Sequence, residues 1–106
     1  MDDKQLVSDV TQALSKYAVV LQGNNNTVQL HSGMPSGCSN VIAIFPGGRA
    51  AFIECRPAGC SLQTDKAIFL ERMRAMGCMC GVARSVRDAE LIVGLGEITH
   101  IAQEEM

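Results

Sequence analysis

The stretch NVIAIFPGGRAAFIECR, residues 40–56, contains two apolar segments separated by a short glycine-rich connection. Apolar segments rich in β-branched and aromatic residues on both sides of such a connection are typical of a β-hairpin. The sequence P-G-G favours a three-residue connection, in which Pro46 and Gly47 form a type I turn and Gly48 adopts the left-handed conformation. We therefore predict two antiparallel strands, one on each side of this turn.

The length of the connection also determines which side chains face one another. Counting back from a three-residue turn places Asn40 opposite Glu54, at the open end of the hairpin. Glu54 and Arg56 are two residues apart, so an extended strand directs both side chains to one face. Because cross-strand partners lie about 5 Å apart, we predict a polar cluster of Asn40, Glu54 and Arg56. A two-residue turn would instead put Asn40 on the opposite face from Glu54.

Hydrophobic spacing on either side of the hairpin predicts alternating helices and strands. Apolar residues at helical spacing predict a first helix from about Asp3 to Lys16, and a second apolar stripe predicts a helix that starts after a cap at Ser61 and stops at Gly77. The other predicted elements are strands at 18–22, 27–30 and 78–83, a turn at 23–26, a loop at 31–39, and a short helix from a cap at Ser85 to Ile92 or Val93. The resulting order, α-β-β-β-β-α-β-α, predicts an α/β fold with a mixed sheet flanked by helices.

Length and composition predict one globular domain. The chain has 106 residues, of which 47% are hydrophobic and 19% charged, and this composition is ordinary for a folded domain. We assign residues 1–106 to a single domain with its core at about 3–93 and a tail at 94–106. The net charge of −2 excludes a protein coated in basic residues, although seven of the nine basic residues lie between Arg49 and Arg87 and allow a local basic face.

Cysteine usage and the absence of long apolar runs predict a cytoplasmic, reduced protein with no membrane association. The five cysteines and two histidines also raise the alternative of a zinc or redox site. Zinc sites usually contain two C-x₂₋₄-C pairs, whereas Cys78 and Cys80 are separated by one residue and would point to one face of a strand. The spacing therefore favours small apolar side chains in a core.

The order of these features resembles the VRR-NUC branch of the PD-(D/E)xK nucleases. The resemblance covers about residues 3–93 and rests on a loop ending in G-C-S-N (37–40), an apolar hairpin, I-E-C-R (53–56) and a helix opening with S-L-Q (61–63). It implies a restriction-endonuclease-like core. It also implies a hydrolase that cleaves phosphodiester bonds of DNA, branched DNA included, with Mg²⁺ or Mn²⁺ as cofactor and a homodimer as the working form.

The same resemblance assigns roles to four residues. Asn40 and Glu54 stand where the family holds its metal, Arg56 stands at the lysine position, where it would stabilise charge on the phosphate, and Gln63 would position water or phosphate. Two of these residues depart from the family pattern. Asn40 carries no negative charge and so weakens Mg²⁺ binding. Arg56 stays protonated and cannot act as a base. The loop between Arg56 and Gln63 is also about three residues shorter than usual. An acid on the first helix, Asp2 or Asp3, stands where the family has one and restores part of the missing charge.

These departures leave two alternatives to an active nuclease. One is a degenerate nuclease fold that binds DNA or a protein partner, and the other is a structural oligomerisation module. The residues also have a purely structural interpretation. Glu54 and Arg56 would form a salt bridge at a strand end, worth ~0–1 kcal/mol if exposed, and Asn40 would satisfy local backbone groups. His31, in the loop before the hairpin, would contact a phosphate or have no role. The methionines of the second helix, Met73 and Met76, would pack in the core or in a dimer.

Overall fold

The structure is a computed structural model that describes residues 3–23 and 35–95. Its helices and strands are α1 (Asp3–Leu14), β1 (Val19–Gln22), β2 (Val41–Phe45), β3 (Arg49–Cys55), α2 (Thr64–Ala75), β4 (Met79–Ala83) and α3 (Val86–Ile92), with a 3₁₀ turn at Pro46–Gly48. The predicted strand at 27–30 lies outside the described residues. Every other predicted helix and strand is present in the predicted order. No helix within the described ranges is long and apolar enough to cross a bilayer.

The four described strands form one mixed sheet in the order β1-β2-β3-β4. β2 is antiparallel to both β1 and β3, whereas β4 is parallel to β3. Parallel neighbours need a crossover connection, and α2 provides it between β3 and β4. The predicted α/β class with a mixed sheet flanked by helices is therefore confirmed.

Helices cover both faces of the sheet. On one face, α1 and α3 bury an aliphatic cluster that includes Leu6, Val10 and Ile53. On the other face, α2 packs Phe69 and Leu70 against alternate residues of β2, β3 and β4. Alternation along β3 therefore sends Ile53 and Cys55 towards α1 and α3, and directs Phe52 and Glu54 towards α2.

The hairpin register follows the prediction, but the turn type differs. Phe45 lies opposite Arg49, and Val41 lies opposite Ile53. Gly47 has φ 84° and ψ 7°, which are the angles required at the third position of a type II turn, so the predicted type I turn is wrong. Gly48 is left-handed as predicted, with φ 76°. The register holds because it depends on the number of residues in the connection and not on the turn type.

Helix boundaries show where local caps succeed and fail as signals. Ser85 caps α3 as predicted, since its Oγ accepts a hydrogen bond from the Asp88 backbone N–H at 3.1 Å. Ser61 does not cap α2, which begins at Thr64 after Gln63. The Ser61 carbonyl instead accepts a hydrogen bond from the Arg56 guanidinium group, so this residue is held in the loop before the helix.

Candidate functional site

Glu54 is the central residue of the candidate site. It lies one residue before the end of β3, and only 2% of it is exposed. Its Oε1 atom accepts a hydrogen bond from the Asn40 backbone N–H at 3.0 Å. The same oxygen lies 3.3 Å from the Lys66 ammonium nitrogen. A buried carboxylate is thus held by one backbone donor and one cation.

Asn40 lies next to Glu54, as the register predicts, but its side chain is engaged elsewhere. Its Oδ1 atom accepts a hydrogen bond from the Cys55 backbone N–H at 2.7 Å, and its Nδ2 group donates to the Cys55 carbonyl at 3.0 Å. The amide therefore bonds the β3 backbone two residues beyond Ile53, which is the last residue of β3 paired with β2. This geometry supports the interpretation in which Asn40 satisfies backbone groups.

Arg56 follows β3 and is directed towards the first helix. Its Nη1 atom donates to Asp3 Oδ2 at 2.8 Å, and its Nη2 atom donates to the Ser61 carbonyl at 3.2 Å. Among the described residues, Arg56 makes no hydrogen bond or ion pair with Glu54. Asp3 is thus the acid on the first helix that reaches this edge of the sheet, where it pairs with Arg56. Asp2, His31 and His100 lie outside the described residues.

Lys66 is a further site residue, which neither the hairpin pattern nor the family resemblance predicts. It is the third residue of α2, only 9% exposed, and its Nζ donates to the Cys38 carbonyl at 2.8 Å as well as pairing with Glu54. Gln63, the predicted residue, precedes α2 with an exposed side chain. Two features of the sequence point to Lys66. It is a charged residue in the apolar stripe of α2. It also lies three residues after Gln63, so its spacing from Arg56 matches the spacing usual in the family between the lysine and the glutamine.

Burial dominates the protonation of the two neighbouring residues at the end of β3. Desolvation raises the pKa of Glu54 above 4.5, although the charges of Lys66 and Arg56 and the Asn40 N–H oppose the shift. Burial also raises the pKa of the Cys55 thiol to about 12, with further contributions from the negative charges of Glu54 and Asp3. A thiol with this pKa is inert at neutral pH and is neither a nucleophile nor a ready metal ligand.

The donor set does not fit Mg²⁺ or Mn²⁺. Magnesium prefers several hard oxygen ligands, carboxylates above all, in an octahedral shell. The described residues contain no group of three or more His, Cys, Asp or Glu side chains that could hold a metal ion. Glu54 Oε1 already faces the Lys66 ammonium group, and Asn40 Oδ1 already accepts the Cys55 N–H. The metal positions assigned by resemblance therefore hold one carboxylate and one engaged amide.

Comparison with known proteins supports the fold through structure alone. No protein-family model matches the sequence, and no curated protein matches it. Among solved structures, a VRR_NUC domain matches with a TM-score of 0.67 at 16% sequence identity, over 86% of this chain and 92% of that chain. A likeness at this identity concerns the fold. This chain accordingly has the fold of a VRR-NUC domain, the nuclease-like fold that its residue order resembles.

Proposed function

We propose that this chain is a nuclease-like domain that binds DNA and does not cleave it with a divalent metal. The observation that carries the absence of metal-dependent cleavage is the Lys66 ammonium group 3.3 Å from Glu54 Oε1. A metal placed at Glu54 would lie close to this ammonium group, and two unit charges 4 Å apart repel by about 4 kcal/mol at an effective dielectric constant of 20. A dication doubles that repulsion, and the Glu54–Lys66 ion pair as a whole has no net charge with which to attract it.

Charge distribution supports binding to a nucleic-acid backbone. The described residues include all nine basic residues and seven of the eleven acidic ones, which is a surplus of two positive charges. The other four acids are Asp2, Glu97, Glu104 and Glu105. The body of the fold is thus weakly basic although the whole chain has a net charge of −2.

Four of the nine basic residues follow the carboxyl ends of β3 and β4 or lie in the first turns of α1 and α3. We call these residues, Lys4, Arg56, Arg84 and Arg87, the basic edge. Arg56 and Arg84 each follow the carboxyl end of a parallel strand, and Arg56 N–H donates to the Ala83 carbonyl between them. The guanidinium groups of Arg56 and Arg84 hold the loop 57–61 through its carbonyls. Lys4 and Arg87 are exposed. Ligands of open α/β sheets bind at the carboxyl ends of strands, so this edge suits phosphate contacts.

DNA retention at graded salt concentrations tests the binding. We expect wild-type protein to be retained at low salt. We expect Lys4→Gln/Arg87→Gln to reduce the magnitude of the negative slope of log K against log salt by about 2, because each phosphate contact contributes about 0.9. The matched control is Lys16→Gln/Arg49→Gln, which removes the same charge at the other end of α1 and of β3. Equal loss in both double variants would contradict the assignment of the basic edge, and no retention at low salt would remove DNA binding altogether.

A cleavage assay tests the second half of the proposal. Linear and branched DNA are incubated with wild-type protein and with Glu54→Gln in Mg²⁺ or Mn²⁺. We expect no cleavage by either protein. Metal-dependent cleavage by the wild type that Glu54→Gln abolishes would restore the hydrolase that the resemblance implies.

Exposed apolar residues on α2 favour self-association as a second candidate function. Met73 packs into the core on the α2 face, which is one of the two positions predicted for the methionines. Met76, directly after α2, is 70% exposed, and Ile68 on α2 is 57% exposed. The homodimer implied by the resemblance is part of this second candidate. Analytical ultracentrifugation of wild type and Ile68→Ser/Met76→Ser tests it, and a monomeric wild type at high concentration would argue against it.

A further inference from the structure

We propose that the ammonium group of Lys66 takes the place of a divalent metal ion in this fold, so that the chain supplies its own cation to Glu54. The neighbours of the ammonium nitrogen include two oxygen atoms, one of the Glu54 carboxylate at 3.3 Å and that of the Cys38 carbonyl at 2.8 Å. Both are hard oxygen atoms of the kind that a cation binds. The inference goes beyond the proposed function because it assigns a role to a residue outside the family pattern.

Lys66 joins three segments of the chain, as a bound ion would. Glu54 belongs to β3, Cys38 belongs to the segment that precedes β2, and Lys66 itself belongs to α2. The first turn of α2 is packed closely on the same segment, since a Cβ added at Gly37 would lie 2.1 Å from the Asp65 carbonyl oxygen. This close contact fixes the helix backbone from which the lysine side chain extends. The ammonium group is therefore positioned by packing and not only by its charge.

The charges of the site match a monovalent cation. A family site with an Asp and a Glu supplies two negative charges to a dication. Here residue 40 is Asn, so Glu54 alone supplies one negative charge, and the Lys66 ammonium group supplies one positive charge. A buried charge is stable only when it is paired, so the neutral residue at 40 and the cation at 66 are mutually dependent. Replacing Asn40 by Asp or Lys66 by Gln alone leaves an unbalanced charge, whereas replacing both gives two carboxylates with no ammonium group.

Mn²⁺ binding by variants tests this dependence without any DNA. Thermal unfolding and isothermal titration calorimetry with Mn²⁺ are applied to wild type, Lys66→Gln, Asn40→Asp/Lys66→Gln and the exposed control Lys16→Gln. We expect Mn²⁺ to leave the Tm of wild type and Lys16→Gln unchanged, because the ammonium group of Lys66 excludes the ion. We expect Lys66→Gln to lower the Tm in the absence of metal. Mn²⁺ should then raise the Tm of Asn40→Asp/Lys66→Gln and give a measurable heat of binding.

Several outcomes would overturn the inference. Mn²⁺ raising the Tm of the wild type as much as that of the double variant would mean that Lys66 does not exclude a metal. An unchanged Tm for Lys66→Gln would mean that the ammonium group has no structural role. If the double variant does not fold even with Mn²⁺, the exchange of cations is refuted, provided that the uncharged pair Glu54→Gln/Lys66→Met folds. If that pair is also unfolded, titration of the wild type with Mn²⁺ decides. A heat of binding contradicts the inference, and the absence of a heat of binding supports it. DNA retention by the wild type is a separate readout, so failure here leaves the proposed binding function intact.

Discussion

The side-chain amide of Asn40 makes two hydrogen bonds with the backbone of Cys55, one to its N–H at 2.7 Å and one to its carbonyl at 3.0 Å. Both residues are buried, so each bond satisfies a group that water cannot reach. The amide thus acts as a substitute for a β-strand residue where the β2–β3 ladder ends. This relationship explains why an uncharged residue with both a donor and an acceptor suits position 40.

Substitution of Asn40 should therefore destabilise the fold whatever the chain binds. Asn40→Ala leaves the N–H and the carbonyl of Cys55 unsatisfied, and each buried unsatisfied group costs about 1–3 kcal/mol. Asn40→Asp keeps an acceptor for the N–H but places a carboxylate against the Cys55 carbonyl and beside Glu54. We expect both variants to lower the free energy of unfolding in urea by about 2 kcal/mol or more. Gln22→Ala, at an exposed position on β1, is the control. If the Asn40 variants lose no more free energy of unfolding than Gln22→Ala does, the bridging role is contradicted.

The Lys66–Glu54 pair should show strong coupling in a double-mutant cycle. Removing one partner of a buried ion pair leaves an uncompensated charge and costs about 3–5 kcal/mol, whereas replacing both is often close to neutral. We expect Lys66→Met to be strongly destabilising, and Glu54→Gln/Lys66→Met to recover much of the loss. Urea denaturation of the two single variants and the double variant measures the coupling. Additive effects would show that the two side chains do not depend on one another.

Glu54 should also give the stability a characteristic pH dependence. Burial raises its pKa above 4.5, so the folded chain binds this proton more tightly than the unfolded chain does. The contribution of this group is fully present below about pH 4.5 and is lost as the pH rises through the raised pKa. We expect the free energy of unfolding of Glu54→Gln to improve relative to wild type from pH 4.5 upward, whereas the control Gln22→Ala, at an exposed position that does not titrate, keeps a constant difference from the wild type. A relative decline of Glu54→Gln with rising pH would contradict the direction of the shift.

The hairpin could be predicted from sequence because its geometry is local. The number of residues in the turn and the alternation of apolar side chains are sufficient to place Asn40 beside Glu54. Neither signal depends on any distant part of the chain, and an error in turn type therefore did not alter the register. The same locality explains the correct cap at Ser85.

The cation partners could not be predicted because they depend on distant contacts. Arg56 pairs with Asp3, which is 53 residues away, and Lys66 reaches Glu54 only because α2 crosses back over the end of β3. Alternation along a strand predicts the face on which Arg56 emerges, but the chain leaves β3 at Cys55 and the guanidinium group turns towards α1. A lysine in an apolar helical stripe signals a buried charge, yet it does not identify the partner.

Close packing at Gly37 should make that position far less tolerant than other left-handed glycines. Gly37 has φ 78°, and an added Cβ would lie 2.1 Å from the Asp65 carbonyl oxygen, whereas Gly59 has φ 88° and open space around the same position. Alanine at either site carries a similar backbone strain of about 1 kcal/mol, so the difference between Gly37→Ala and Gly59→Ala isolates the steric clash with α2. We expect Gly37→Ala to lose at least about 2 kcal/mol more stability in urea. Equal losses would mean that α2 shifts away from this segment without cost.

Cys55 should remain unmodified in the native protein and report on unfolding. Its thiol is buried, and its pKa is raised to about 12, so the thiolate that reacts with iodoacetamide is scarce at pH 8. Cys60 and Cys78 are partly exposed, and we expect them to be alkylated first. Mass spectrometry of peptides after a time course in native buffer and in urea measures both rates.

Since Cys55 lies against the Asn40 amide, Asn40→Ala should speed the alkylation of Cys55 in native buffer by opening the end of β3. Labelling of Cys55 as fast as Cys60 in the wild type would contradict the burial, and an unchanged Cys55 rate in Asn40→Ala would show that the amide does not hold this strand end closed.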